Sequence, residues 1–110
     1  MNINIDDVLA EMISTMKGTV GEHWSEVKTV AEQFLQRRKE RLELLAQLRI
    51  SGDLSQEKFE SRLGDEKLIA EAELNAVEVI SKSLAQKAAS AGLEILQKAV
   101  GTAILGVISK

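Results

Sequence analysis

Hydrophobic residues recur along the first half of the chain at the period of an α-helix. Ile5, Leu9, Met12, Met16, Val20, Trp24, Val27, Ala31, Phe34, Leu42 and Leu45 follow one another on one stripe, and Arg38 is its one polar member. The steps average about 3.6 residues, which is the α-helical repeat. This pattern predicts a helix from about residue 6 to residue 50, with Asp6 and Asp7 near its positive N-terminal end. Gly18 and Gly21 are its weak points, each costing roughly 1 kcal/mol relative to alanine. The apolar phase is the same on both sides of them, which favours a continuous helix. A break at Gly18–Gly21 is the alternative.

Punctuation comes next. Gly52 can take the left-handed conformation that ends a helix, and Ser55 can cap the following one with Glu57 in its first turn. Leu54 then precedes the cap and Phe59 is the fourth helical residue, the spacing of a hydrophobic staple. Residues 51–54 are therefore expected to be a turn between antiparallel helices. The second helix is expected over about 55–91, with a further segment over 93–108. Its stripe reads Phe59, Leu63, Ala70, Leu74, Val77, Leu84, Ala88, Ala91, Ile95, Ala99 and Ala103, interrupted by charge at Glu66 and Lys67. Gly64 and Gly92 are its candidate break points.

The turn, with Leu45, Leu48, Gly52, Leu54, Ser55, Glu57 and Phe59, resembles the SHOCT motif, a short helix–turn–helix. The resemblance spans residues 45–63, about a fifth of the chain. It implies a role in oligomerisation. That family is usually a C-terminal module, whereas here the turn lies mid-chain.

Charge alternates in blocks. Residues 1–35 carry a net −4, residues 36–50 +3, residues 51–81 −5 and residues 82–110 +3. Folding at Gly52 brings Arg37, Arg38, Lys39 and Arg41 beside Asp65, Glu66 and Glu71, and the acidic first third beside the basic tail. Each exposed pair is worth only a few tenths of a kcal/mol. Together they specify antiparallel pairing.

Composition narrows the chemistry. With 45% hydrophobic and 28% charged residues the chain is a folding sequence, and with 3% aromatics its core must be aliphatic. Proline and cysteine are absent, so disulfides, thiolate catalysis and cysteine-ligated zinc are excluded. The acidic start MNINIDDVLAEM does not read as a signal peptide, and no apolar run reaches the roughly 18 residues of a spanning helix. A cytoplasmic location is the expectation. The overall charge of −3 does not favour nucleic acid as a partner.

Candidate chemistry is sparse. A di-iron bundle requires Glu-x-x-His on inward faces. The only histidine is His23, and the residue three before it is Val20. No triad can be built on that single base, so no catalytic, metal or cofactor residue is assigned. The basic run Arg37–Arg41 is expected to be a solvated face paired with nearby acids. Trp24 is expected to fill core or interface, and Arg38, lying on the apolar stripe, either snorkels outward or pairs with a carboxylate.

The last third has a wide apolar face with two rows. One is Leu84, Ala88, Ala91, Ile95 and Ala99; the other is Ala85, Ala89, Leu96, Val100, Ala103 and Val107. Such a face is wider than one neighbouring helix requires. The expected fold is therefore an all-α, long antiparallel hairpin forming a single domain, which completes a helical bundle by oligomerisation. The expected function is non-enzymatic: a structural or protein–protein interaction protein, self-associating, with a dimer favoured, and open to another protein partner. Its interface would draw on Trp24, Arg38, Leu84, Ala88, Ala91, Ile95, Ala99, Val100, Ala103 and Val107. The alternative is a peripheral membrane-surface protein acting through the C-terminal amphipathic segment, whose lysines accompany the apolar surface.

Overall fold

The computed structural model describes residues 3–108, and the surroundings of side chains up to residue 106. Among the described residues there are helices and no strands. They are α1 (Ile5–Val20), α2 (Trp24–Ser51), α3 (Gln56–Asn75) and α4 (Lys82–Ile108), with one turn of 3-10 helix, Gly21–His23, between α1 and α2. Each helix packs on the next, and α4 closes the ring against α1. Neighbours run antiparallel. Asp6 at the start of α1 reaches Lys39 midway along α2, and Met16 near the end of α1 lies beside Gly92 in α4. The result is an up-down-up-down four-helix bundle measuring 46 × 22 × 20 Å.

The turn after α2 forms as the sequence predicts. Gly52 adopts φ 88°, its N–H donates to the Arg49 carbonyl, and the Leu54 N–H donates to the Leu48 carbonyl. The Ser55 hydroxyl caps α3 by accepting the Lys58 N–H at 3.2 Å, with Phe59 buried and Leu54 half-buried against the core.

The single helix expected over 6–50 is instead two. Gly21 takes φ 61° and ψ −126°, a conformation open to glycine and costly for other residues, and the chain folds back there. A helix of 45 residues would extend about 68 Å with its stripe covered only on one side. The corner lets α1 and α2 turn their stripes toward one axis. The second region also divides elsewhere than expected: α3 runs unbroken through Gly64 and α4 through Gly92. The break falls at residues 76–81, where Glu78 has φ 70° and the Ser81 hydroxyl accepts the Leu84 N–H to start α4. Ala76-Val77-Glu78-Val79-Ile80 carries two valines and an isoleucine, which lose side-chain freedom in a helix. The half-buried Val77 and buried Ile80 then pack with the core.

These two extra reversals correct the hairpin expectation. Four helices of one chain form the bundle that a two-helix hairpin would have to borrow from a second copy. The broad face of α4 has its neighbours within the chain, on α1 and α3. The core is mainly aliphatic: Met12, Met16, Val27, Leu42, Leu74, Leu96 and Val100, with Phe34 and Phe59, are almost wholly shielded from solvent.

Candidate interaction surface

Two interruptions of the apolar stripes meet each other. Arg38 breaks the stripe of α2 and Glu66 breaks that of α3. In the bundle the Arg38 guanidinium donates to Glu66 through Nε at 2.8 Å and Nη2 at 2.5 Å. Arg41 Nε lies 3.9 Å from the same carboxylate. Glu66 is 2% exposed, the one charged residue buried in the core among the described residues. A carboxylate at that depth requires a partner, and the two-pronged arginine supplies it. Hydrogen bonding to Glu66 holds the Arg38 guanidinium above its ordinary pKa, against the opposing effect of burial. Arg37 donates to Glu73 on the solvent side of the same seam.

The predicted charge pairing between α2 and α3 therefore holds at Glu66, whereas Glu73, and neither Asp65 nor Glu71, is the second acceptor among the described residues. Lys39 departs from it. Its ammonium lies 2.7 Å from Asp6 of α1, which raises the Lys39 pKa, first through the hydrogen bond and then through the charge of Asp6. The acidic first helix does lie beside the basic last one: Asp7, Glu11 and Lys98 line one open cleft with Ile95 and Ala99.

The residues expected at an interface are dispersed. Ala88, Val100 and Ala103 are buried inside the chain, so a partner cannot reach them while the bundle is intact. The physical reason is the position of α1, which occupies the face that the hairpin reading left open. Leu84, Ile95 and Ala99 are half-buried, packed against the core from its edge, and Ala91 is half-buried beside them. Trp24 is half-buried at the start of α2, and the Val107 side chain lies outside the described residues. Arg38 is spent on Glu66.

The exposed large apolar side chains lie elsewhere. Leu68 is 62% exposed, Leu44 49% and Ile69 37%, all on α2 and α3. Val79 in the loop after α3 is also exposed, as is Leu105 near the end of α4. Stripe reading passed over Leu44, Leu68 and Ile69 because they lie off the core phase. An apolar residue off the phase of its own helix is the signal that could have found them.

Between α3 and α4 the packing opens into a shallow cleft of about 380 Å³ bordered by Glu60, Gly64, Lys67 and Ser90. It is open, and its lining mixes these charged and polar residues with Leu63 and Leu93. His23 is half-exposed; its Nδ1 lacks a hydrogen-bond partner and lies 3.7 Å from Glu26. Among the described residues no three or more His, Cys, Asp or Glu side chains gather as a metal site would require, and no helix is long and apolar enough to cross a membrane. No protein-family model, curated protein or solved structure matches the chain.

Proposed function

We propose that this chain is a non-enzymatic helical protein–protein interaction protein that associates with itself. The observation that carries the reading is the exposure of Leu44, Leu68 and Ile69 on two adjacent helices of the bundle. Water-exposed leucine and isoleucine on rigid helices favour association, because covering them removes apolar surface from water without ordering a loop. The resemblance of the α2–α3 turn to the SHOCT motif points in the same direction. The membrane-surface alternative draws less support. Leu93, Leu96 and Val100 of α4 are buried in the bundle, so the helix would have to leave α1 before lipid could replace those contacts.

Light scattering coupled to size exclusion at micromolar concentration tests the reading. The expected mass is a multiple of the 12.0 kDa chain, with a dimer the favoured form. A 12.0 kDa particle across that concentration range would overturn self-association.

A further inference from the structure

The core direction of α3 is set by Phe59, Leu63, Glu66, Ala70 and Leu74, which are all buried. Helical geometry places Ser61, Gly64, Leu68, Ala72 and Asn75 on the opposite crest. Leu68 is the one large side chain of that crest; it is mostly exposed and borders the shallow grooves between α3 and α4. Gly64 is unexplained by the chain itself. A glycine inside a helix weakens it, and a Cβ built at Gly64 meets nothing within 4 Å. Close approach of a second helix would explain a residue of that size there.

We infer that the crest of α3 is a homodimer contact: α3 packs antiparallel on α3 of a second copy, with the two-fold axis at Leu68. This rests on the self-association proposed above and names its surface. The register follows from symmetry. Gly64 and Ala72 lie four residues to either side of Leu68, so each Gly64 faces Ala72 of the second copy and the backbones can come close.

Charge on the rims fits the same register. Lys67 and Glu71 lie on the rim toward α4, and Arg62 and Glu73 on the rim toward α2. With Leu68 on the axis, Lys67 comes within about 3 Å along the helix axis of the level of the second copy's Glu71. On the rim toward α2, Glu73 is already held by Arg37, so the Lys67–Glu71 pairing, made twice, carries the charge argument. Among the described residues Lys67, Glu71 and Arg62 form no ion pair within the chain. Parallel packing in register would set Lys67 against Lys67 and Glu71 against Glu71, so the charges select the antiparallel arrangement.

The chain has no cysteine, which makes a crosslinking test direct. In the full-length protein Leu68→Cys places two thiols at the axis. Mild oxidation is expected to yield a disulfide-linked dimer, while Ser14→Cys on the exposed side of α1 stays uncrosslinked under the same conditions. Leu68→Asp is expected to weaken dimerisation at least tenfold by light scattering, with helical content by circular dichroism unchanged because the site is exposed. Lys67→Glu should weaken it as well, and adding Glu71→Lys to the same chain should restore it. A dimer that survives Leu68→Asp, with no preferential crosslink at position 68, would overturn this surface and leave self-association standing. A wild-type monomer would overturn both.

Discussion

The α1–α4 and α2–α3 pairs of the bundle are held by different physics. Between α1 and α4 the contact is apolar and close. Met16 meets α4 on a face rich in alanine, and a Cβ added at Gly92 would come 3.0 Å from Met16 Cγ and Sδ. Between α2 and α3 the apolar stripes are narrower and each carries a charge. Closure there depends on Arg38 and Glu66 neutralising one another, with Arg37 and Glu73 at the rim. The first seam is sensitive to volume and indifferent to partner identity. The second tolerates volume changes at its exposed edge and depends on two residues matching. A buried ion pair adds little net stability over apolar residues, but it strongly penalises arrangements that separate its members.

The largest loss is expected from opening the apolar seam. Leu96→Ala should destabilise the fold by about 3 kcal/mol through a cavity beside α1, read as a lowered denaturation midpoint with unchanged slope. Next comes the charged seam. Arg38→Ala strands the buried Glu66 carboxylate with only the distant Arg41, and should cost about 3 kcal/mol. The double variant Arg38→Leu with Glu66→Leu should return to within about 1 kcal/mol of the wild type. If the double variant is as unstable as the single, the seam is not an isolated pair and the contrast between the two halves fails.

Smaller effects sharpen the packing contrast. Gly18 lies on the open side of α1, where a Cβ meets nothing, so Gly18→Ala should stabilise by roughly 1 kcal/mol. Gly92→Ala gains the same helix propensity but must displace the buried Met16 side chain, and it is expected to lower stability. Thermal melts of the two variants should move in opposite directions.

The smallest effect concerns Lys39, which ties α2 to α1 through Asp6. Its pKa is raised in the folded state, first by the hydrogen bond and then by the charge of Asp6. The stabilisation is therefore complete below the ordinary lysine value of 10.5 and is lost as pH rises through the folded value. Asp6→Asn should flatten the alkaline decline in denaturation midpoint, while leaving the Arg38–Glu66 seam as it is.

Particular residues show where sequence reading succeeds and stops. The turn at Gly52 was legible because a left-handed glycine, a serine cap and the Leu54–Phe59 spacing all lie within a few residues of one another. The corner at Gly21 was not, since the stripes of α1 and α2 share one phase and the cost of a helical glycine is too small to decide. The break at 76–81 was hidden because Val77 kept the stripe in phase while Gly64 and Gly92 offered more conspicuous stops. At the candidate surface, the charge blocks foretold that the arginines of α2 would meet acids of α3, and Arg38 was marked by its place on an apolar stripe. Leu68 was not found, because its exposure depends on which side of α3 the other three helices occupy.

The sequence by itself determined the helical class, the reversal at Gly52 and most of the buried stripe from Ile5 to Leu45, because caps, glycines and hydrophobic period act within one or two turns of chain. Only the tertiary structure decided that the helix over 6–50 folds back on itself, that Arg38 answers Glu66 across 28 residues, and that α4 is covered from within the chain. Those choices depend on which apolar faces can be covered at the same time, a property of the assembled helices that no local signal carries.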